Sequence, residues 1–575
     1  MARHISQALL IISAVAFCYH GILDYPFLFD DIPHIQINDA IKDVSNIGGL
    51  LAYNPARFLV FLSFAVNYHF GGLDTFGYHL FNIAVHMVNS LLVMAFGMAL
   101  VTAWRGREAQ WPWTWLPFFS AIVFAVHPLH TGAVTYTCQR SASMVALLYL
   151  SAMTLYLSAA IASKETNQPA KFRYAGALIC ATLAMFTKQT AATLPIALVM
   201  LDFFFIASSE RRERIRRLAP FFIIMLIGPL MAVTGMDREL GDIADRVETM
   251  PSHTEYFLTQ LNVIVTYLRL IALPVNQNLD YDYPIAHSIS DSALSAGILL
   301  GLLALAVAFY RRERMISFGI LFFFLALSVE SSVFPLEDVI FEHRAYLPSA
   351  GIIIAFWAGL FYTLEKLAPV WSRKKSVVVA MTLTLTALTS GYAAATINRN
   401  EVWRDGEALW TDVVKKSQGK ARPHNNLGAF YFHKGDLDKA EKYFRQSLAI
   451  NPKYALSLYD MALLNLKRGD LDTALDYFDK AVTIDPLTPF PLFSMGEGYL
   501  KRGMTAEAVK CYRLAVKLKP GIPKGWQGLV HALDSAGDKQ GAQETASEVL
   551  RRWPEARKDS LIRDLTAPDK IKPAS

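Results

Sequence analysis

The stretch NNLGAFYFHKGDLDKAEKYFRQSLAINP, residues 425–452, is the first copy of a pattern that the chain repeats downstream. Three positions recur every 34 residues: Gly435, Gly469, Gly503 and Gly537; Ala440, Ala474, Ala508 and Ala542; Pro452, Pro486, Pro520 and Pro554. A fixed period of this length is typical of helix-turn-helix units that stack on one another. The C-terminal part of the chain is therefore predicted to be an α-solenoid.

The period and the packing positions are those of tetratricopeptide repeats. In the first repeat the small and large packing positions hold Leu427, Gly428, Tyr431, Ala440 and Phe444. Four such repeats, over residues 421–556, can bury a continuous core by stacking and leave a concave face free for a polypeptide.

The fifth position of each first helix usually lines the concave face of such repeats. The register places four residues there: Asn425, Tyr459, Phe493 and Gln527. Amides can bond the backbone of an extended peptide, and aromatic rings can cover its apolar side chains. These four residues are the predicted acceptor groove. The alternative is that Tyr459 and Phe493 pack against adjacent helices.

Upstream of the repeats the chain is strongly apolar. Of the 575 residues 53% are hydrophobic and 12% aromatic, which is too apolar for an ordinary soluble protein. The net charge of +6 is small for this length, and no basic nucleic-acid-binding module is present, so nucleic acid is not an expected partner. The four cysteines form no CxxC motif, which excludes a cysteine metal site of that kind.

Eleven apolar runs have about the 20 residues that a helix needs to cross a bilayer. They lie near residues 5–23, 78–103, 113–130, 141–162, 171–187, 190–207, 218–235, 291–309, 315–334, 346–365 and 377–397. The first is taken as a span rather than a signal peptide, because no small-residue cleavage site follows it. The fold class is thus all-α, a polytopic membrane domain followed by the solenoid.

The distribution of arginine and lysine predicts the orientation of these spans. The basic loops, among them RRERIRR at 211–217, all fall on one side when the N-terminus lies inside. Asp30, Asp31 and everything after Asn398 then face outward. The amphipathic stretches 56–70 and 254–273 are predicted to lie in the membrane interface, the alternative being that either one spans.

The stretch FDDIPHIQIN, residues 29–38, follows the first predicted span and places Asp30 and Asp31 side by side. A solvated loop is one interpretation of this pair. Other polar groups, however, stand at outward-facing ends of spans: His127, His130, Arg140, Lys188, Glu342, His343 and Arg344. Ionisable residues at membrane depth usually mark a functional cavity. Their shared side therefore favours a catalytic site, with His34, Asn38, Arg57, Gln189 and Tyr346 as supporting candidates.

Carboxylates and several cations at one membrane face suit a sugar carried on a lipid phosphate. Cations can bind the phosphate and stabilise the charge that grows as the glycosidic bond breaks, and this role is predicted for His127, His130, Arg140, Lys188 and Arg344. An aspartate can remove the proton of an acceptor hydroxyl, so one of Asp30 and Asp31 is the predicted base and the other an orienting group.

Simpler roles stay open for the predicted phosphate-binding residues. His127 and His130 could be a metal pair, although no acidic third ligand is nearby in sequence, so a metal-independent site without cofactors is favoured. Lys188 and Arg140 could extend to the interface. Arg344 could be satisfied by Glu342 or another acid.

Five segments carry a resemblance to a known family: FDDIPHIQIN, NYHFGGLDTFGYHLFNIAVH, HPLHTGAVTYTCQRSA, FTKQTAATLPIALVMLDFFF and FEHRAYLPSAG. In this order, and followed by the repeats, they resemble the transmembrane, tetratricopeptide-repeat O-mannosyltransferases and their bacterial relatives among the GT-C glycosyltransferases. The resemblance implies a polyprenyl-phosphate sugar donor, usually dolichyl-phosphate mannose in eukaryotes, and transfer to protein Ser or Thr hydroxyls. It also implies that Asp30 and Asp31 are the catalytic motif.

The chain departs from the eukaryotic pattern at Gly132, Gln189 and His343, which leaves the sugar and the acceptor open. Short loops and few cysteines favour a bacterial member that uses undecaprenyl phosphate. We therefore expect a bacterial inner-membrane protein with a cytoplasmic N-terminus and periplasmic repeats, or repeats in the endoplasmic reticulum lumen if the protein is eukaryotic.

The predicted organisation is a membrane domain over residues 1–398, a connecting helix over 399–420, four repeats over 421–556 and a tail over 557–575. The favoured function is transfer of a sugar, such as mannose or another hexose, to proteins on the non-cytoplasmic side. A ligase or polymerase of lipid-linked glycans is the enzymatic alternative, and a non-catalytic membrane scaffold is the other. A scaffold does not need acids and bases gathered at one membrane face.

Overall fold

The computed structural model describes residues 2–206, 211–233, 250–367, 374–485 and 489–567. Throughout these ranges the chain forms helices and connecting turns, without a β-strand, which confirms the all-α class. The contacts between residues divide the chain into two compact units, Met1–Leu409 and Trp410–Ser575.

The first unit is built from long apolar helices and shorter broken ones. Its helices are α1 (Ala2–Tyr19), α2 (Ile47–Tyr53), α3 (Phe58–Gly71), α4 (Thr75–Arg105), α5 (Leu116–Ala125), α6 (Thr131–Val134), α7 (Arg140–Thr166), α8 (Lys171–Ala184), α9 (Leu194–Phe205), α10 (Arg211–Met225), α11 (Ile227–Val233), α12 (His253–Ala272), α13 (Ala293–Phe309), α14 (Arg314–Leu327), α15 (Tyr346–Leu367) and α16 (Lys374–Glu401). A further helix, α17 (Gly406–Lys416), follows.

The described residues do not confirm a count of eleven spans. By length and composition six helices could cross a membrane, or up to eight if each of two bent pairs is one span. Several predicted spans are shorter or broken, because α8 has 14 residues and α5 bends by 53° into the segment 128–134. The far end of the predicted span 218–235 lies outside the described residues.

The stretch 56–70, which is predicted to lie in the membrane interface, follows a sharp bend in the chain. It forms the second arm of a pair of helices bent by 112°. The bend occurs at Asn54, where α2 ends and the Asn54 side chain accepts a hydrogen bond from the backbone N–H of Arg57. Pro55 follows directly, and its missing N–H is tolerated at the start of the next helical turn.

Polar contacts and close backbone approaches hold the first unit together. The fully buried Asp202 carboxylate accepts hydrogen bonds from Arg214 Nε at 2.5 Å and from Arg217. Helices α14 and α15 meet at Gly319 and Gly351, where a Cβ added to Gly319 would lie 2.3 Å from the Gly351 carbonyl oxygen. Any larger residue at Gly319 would therefore push these two helices apart.

The second unit contains eight helices that follow the 34-residue period: α18 (Ala421–Lys434), α19 (Leu437–Ile450), α20 (Ala455–Arg468), α21 (Leu471–Ile484), α22 (Pro489–Lys501), α23 (Thr505–Leu518), α24 (Pro523–Ser535) and α25 (Lys539–Arg552). The recurring glycines have φ between +73° and +89°, the left-handed conformation that ends the first helix of each repeat. Gly428 faces Phe444 so closely that a Cβ there would lie 2.6 Å from the ring.

Part of the tail packs against the last repeat instead of fraying as its polar composition suggests. A short helix, α26 (Ser560–Leu565), covers the end of the solenoid. Its Ile562 is fully buried beside Val530, Ala546 and Val549, which would otherwise be exposed at the end of the stack. Residues 568–575 lie outside the described residues.

Candidate functional site

The two aspartates that follow α1 lie in different environments. Asp31 is 2% exposed and its carboxylate is held by backbone on both sides. Oδ1 accepts from the Cys138 N–H at 2.6 Å and Oδ2 from the Leu28 N–H at 3.1 Å. Burial raises the pKa of Asp31 to about 8, against the opposing effect of these two hydrogen bonds. Asp31 thus joins residues 29–38, which we call the acidic loop, to the turn that leads into α7.

Asp30 is half-buried, and its side chain is more accessible than that of Asp31. Its backbone N–H donates to the hydroxyl oxygen of Tyr136 at 3.3 Å, and the Tyr136 ring stacks on Trp403 at 5.0 Å. The preceding residue, Phe29, has φ of +53°, a conformation that non-glycine residues rarely adopt. The backbone is therefore turned sharply where it presents Asp30, and strained conformations of this kind persist where the surrounding structure fixes them.

His34 and Asn38, predicted as supporting residues, stabilise the loop. The Asn38 side chain accepts from the Ala40 N–H and donates to the His34 carbonyl at 2.9 Å. His34 Nδ1 lies 3.2 Å from the Tyr53 hydroxyl.

His127 and His130 lie in a buried network in which both ring nitrogens of each residue have partners. His127 Nδ1 accepts from the Leu129 N–H, so Nε2 carries the proton that it donates to the Ile271 carbonyl at 2.8 Å. His130 contacts the Phe124 carbonyl through Nδ1 at 2.8 Å and Ser349 Oγ through Nε2 at 3.0 Å. In this arrangement the two imidazoles link neighbouring helical segments through hydrogen bonds.

Tyr346 belongs to the same buried region. Its hydroxyl lies 2.7 Å from His86 Nδ1 and accepts from Asn89 Nδ2 at 3.1 Å. The contacts of Tyr346 therefore join α15 to α4, as hydrogen bonds between membrane helices commonly do.

Arg140 is fully buried at the start of α7, and its guanidinium joins three helices. Nε donates to Asn82 Oδ1 at 2.6 Å and Nη2 to the Tyr78 carbonyl at 2.9 Å, both on α4. Nη1 donates to Ser63 Oγ at 2.9 Å and Asn67 Oδ1 at 2.8 Å, both on α3. These bonds occupy the planar fork that would otherwise grip a phosphate.

Lys188 and Arg344 do come together, in a group that we call the cationic cluster: Arg57, Lys188, His343 and Arg344, with Glu330. Lys188 Nζ lies 2.7 Å from Glu330 Oε1, and both side chains are largely buried. Burial lowers the pKa of Lys188; the Glu330 charge opposes that shift, while the nearby charges of Arg57 and Arg344 add to it. Asp338 acts on Arg344 as well.

The cationic cluster draws its side chains from short helical turns that lead directly into α-helices. Arg57 precedes α3, Lys188 precedes the turn Gln189–Thr193 and α9, and Arg344 lies on the turn Glu342–Ala345 before α15. The Leu59 N–H donates to the Phe186 carbonyl at 3.1 Å and joins two of these segments. Helix N-termini carry partial positive charge and exposed N–H groups, so they add to the attraction for an anion.

Glu342 stands next to the cationic cluster and is engaged elsewhere. Its carboxylate accepts from the Asn278 N–H and the Tyr281 hydroxyl, each at 2.6 Å, and from Gln277 Nε2 at 2.9 Å. Glu342 thus joins the loop after α12 to the turn that precedes α15. His343 stacks on Phe341 with the ring centres 5.1 Å apart.

Glu330 is the main residue that the sequence interpretation misses. A signal for it exists, because Glu330 is the only ionisable side chain within the predicted span 315–334. Tyr256 and Tyr267 of α12, which lie against Arg344, carry no such signal. Aromatic residues on an apolar helix face are usually core.

The predicted acceptor groove of the repeats is partly closed by packing. Asn425 is 3% exposed; it donates to Asp460 Oδ2 at 2.9 Å and accepts from Ser457 Oγ at 2.7 Å. Phe493 is also 3% exposed and lies against Gly525. Tyr459 and Gln527 keep part of their surface accessible.

Known proteins share most of the chain at low identity. Residues 420–487 match the tetratricopeptide repeat family model. A protein O-mannosyl-transferase of Caenorhabditis elegans is 25% identical over 476 residues, covering 79% of this chain and 64% of that protein. Human protein O-mannosyl-transferase TMTC1 is 24% identical over 512 residues, covering 80% of this chain and 56% of that protein. The chain thus spans between 56% and 64% of the length of these two relatives.

Solved structures with helical repeats are similar to parts of this chain at low TM-scores. The crystal structure of YrrB, a tetratricopeptide-repeat protein described as having an unusual peptide-binding site, is 18% identical and covers 30% of this chain and 88% of its own, with a TM-score of 0.25. A likeness at that score adds nothing to the fold described above. The relatives of the whole chain and the repeat family model together confirm that it resembles the transmembrane, tetratricopeptide-repeat O-mannosyltransferases.

Proposed function

We propose that this chain is a GT-C glycosyltransferase that moves a sugar from a polyprenyl-phosphate donor to Ser or Thr hydroxyls of proteins. The observation that carries the proposal is the cationic cluster, in which Arg57, Lys188 and Arg344 converge from three separate segments near Glu330. Asp338 acts on Arg344 as well. The relatives named protein O-mannosyl-transferases support the same reaction class.

The cationic cluster suits the donor phosphate because three basic side chains, Arg57, Lys188 and Arg344, lie close together. Burying like charges together is costly unless an anion offsets them. A lipid phosphate would supply that anion, and hydrogen bonds from the cations would stabilise the charge left when the glycosidic bond breaks. The proposed phosphate site therefore contains fewer of the residues that the sequence predicts, namely Lys188 and Arg344, together with Arg57. We propose that His127, His130 and Arg140 position the helices around it.

Asp30 is the proposed general base. Both oxygens of Asp31 are occupied by backbone N–H groups, and the raised pKa of that buried carboxyl means that it tends to hold a proton at neutral pH. A protonated carboxyl cannot accept the proton of an acceptor hydroxyl. Asp30 is more accessible and is held by the backbone contact to Tyr136, so Asp31 positions the loop while Asp30 performs the chemistry.

The proposed setting is a bacterial inner membrane with the N-terminus in the cytoplasm and the repeats in the periplasm. Cations in place of a metal make the reaction metal-independent, so we expect EDTA to leave transfer unchanged. Strong inhibition by EDTA that added divalent ions reverse would contradict this part of the proposal.

The deciding experiment compares secreted and membrane proteins of cells with and without the gene by mass spectrometry. We expect a hexose on Ser or Thr that is lost with the gene and restored by the wild-type chain. Restoration should fail with Lys188→Gln or Arg344→Gln, because a charged hydrogen bond to phosphate contributes about 1.5–3 kcal/mol. The matched control is Arg269→Gln, an exposed arginine of α12 whose guanidinium donates to the Val275 carbonyl. Full restoration by both cluster variants would contradict the proposed phosphate site.

A further inference from the structure

A cavity of about 930 Å³ lies in the first unit, away from both the acidic loop and the cationic cluster. Its walls come from the ends of α4, α7 and α9 and from the beginnings of α8 and α10. Ligand sites in proteins typically occupy about 300–1,000 Å³, so the cavity could hold a group much larger than an inorganic ion.

The position of the cavity follows from the lengths of two helices. Helix α4 has 31 residues and thus runs about 45 Å, with Tyr78 and His79 near the acidic loop and Thr102 and Ala103 at the cavity. Helix α7 likewise begins at Arg140 and reaches the cavity near its last turns. Since a hydrocarbon core is roughly 30 Å thick, the cavity and the acidic loop lie at opposite faces of the membrane that these helices would cross.

Five cations line the cavity: Arg107, Lys164, Lys171, Arg216 and Arg217. Two of them are neutralised by carboxylates. Arg107 donates two hydrogen bonds of 2.5 Å to Glu165, and Arg217 pairs with the buried Asp202.

The other three cations, Lys164, Lys171 and Arg216, are exposed and come from three different helices. Within the described part of the chain, Glu213 is the one further acid on the cavity wall, and no ion pair joins it to these three. Cations that only set the orientation of a protein in the membrane do not need to gather around one cavity, because orientation depends on how many of them lie near a span. Three helices thus bring cations to one space, where an anion would offset their mutual repulsion.

Part of the remaining wall is apolar and includes Ile161, Phe205 and Ile206. Cations beside an apolar wall at a membrane face match the two parts of an anionic phospholipid, a phosphate diester and the start of its acyl chains. We propose that this cavity binds the headgroup of an anionic phospholipid at the membrane face opposite the acidic loop. A lipid headgroup and a free phosphate ion both offer phosphate oxygens to the cations, but the apolar part of the wall favours the lipid.

The test uses the full-length protein in detergent, with phosphatidylglycerol, phosphatidylcholine or inorganic phosphate added separately. Native mass spectrometry measures bound lipid, and thermal unfolding measures stabilisation. We expect phosphatidylglycerol to bind and raise the Tm, while phosphatidylcholine and phosphate do neither at equal concentration. Because each cation contributes about 1 kcal/mol toward an anionic lipid surface, the variant Lys164→Gln/Lys171→Gln/Arg216→Gln should bind roughly a hundred-fold more weakly.

The matched control is Arg311→Gln/Arg312→Gln, which removes two exposed cations between α13 and α14 that do not line the cavity. It should bind phosphatidylglycerol as the wild type does. If the triple variant folds poorly, each single variant should still weaken binding about five-fold. Wild-type binding by the triple variant, or equal binding of phosphatidylcholine, would overturn the proposal, and stabilisation by phosphate alone would replace the lipid with a free anion.

Discussion

At the scale of single residues, the acidic pair shows how two identical neighbours take different tasks. Asp31 is held by two backbone N–H donors and is buried, whereas Asp30 is only half-buried. The sequence predicts the pair and its place after α1. It cannot predict which member is accessible, because that depends on Cys138, which lies 107 residues further along the chain.

The first prediction separates the two aspartates. Asp30→Asn should leave folding unchanged and lower transfer by ~10²–10⁴-fold, because it removes the proposed base. Asp31→Asn turns an amide N–H toward a backbone N–H and should cost about 1–3 kcal/mol of stability. Thermal unfolding and transfer assays on both variants check this. An unchanged transfer rate in Asp30→Asn would assign the base elsewhere.

Asp460 supports a prediction about pH. Burial raises the pKa of Asp460 to about 7, partly offset by the hydrogen bond from Asn425. The folded protein therefore keeps a proton that the unfolded chain loses near its ordinary pKa of 3.8. Stability contributed by this group falls as the pH rises between those two values and is level above them.

Asp460→Asn cannot ionise, so the Tm of the wild type relative to this variant should fall between about pH 4 and about pH 7. Thermal unfolding of both full-length proteins across this range measures the difference. Asp476→Asn, at an exposed aspartate paired with Lys480, is the control. A Tm difference that is independent of pH would show that Asp460 is ionised throughout.

At the scale of elements, the first unit gathers its polar residues where helices are interrupted. Pro55, Pro128 and the turn Glu342–Ala345 each break an apolar run just before a new helix. The sequence predicts the apolar runs, but a span and a bent pair of helices have the same composition. For this reason hydropathy alone could not give the number of spans. The repeats could be predicted, because they follow a strict period.

The contacts of Arg140 support a prediction about how the helices are held together. Its planar fork joins α7 to both α3 and α4, and a lysine has neither the fork nor the number of donors needed to replace it. Arg140→Lys should therefore destabilise the protein by about 1.5–3 kcal/mol for each charged hydrogen bond that the lysine cannot make. Denaturant unfolding measures this loss.

The same variant tests the role of Arg140 in donor binding. Donor affinity per folded molecule should be unchanged in Arg140→Lys, because the proposed phosphate contacts come from Lys188 and Arg344. Loss of donor affinity without loss of stability would instead show that Arg140 binds the donor phosphate, as the sequence predicts.

At the scale of the whole molecule, the two units have separate proposed tasks. The first unit contains the acids and cations that bond cleavage needs, and the second contains repeats whose general use is to bind a polypeptide. Sequence periodicity predicts the repeats themselves well. The accessible part of the groove could not be predicted, because Asn425 and Phe493 occupy the expected register and yet are buried by Asp460, Ser457 and Gly525.

The last prediction concerns the two groove residues that stay accessible, Tyr459 and Gln527. If the repeats capture the protein acceptor, Tyr459→Ala/Gln527→Ala should raise the apparent KM for a protein acceptor several-fold, while kcat and donor binding stay near wild type. The control is Tyr477→Ala, at a partly buried tyrosine on the second helix of the same repeat, and it should leave the KM unchanged while losing comparable packing. Steady-state kinetics with a folded protein and with a short Ser-containing peptide check this, because the larger acceptor offers more surface for the repeats to bind. An equal rise in KM for both acceptors would mean that the substitutions act through the fold of the chain, and an unchanged KM for the protein would exclude this face of the repeats as the acceptor site.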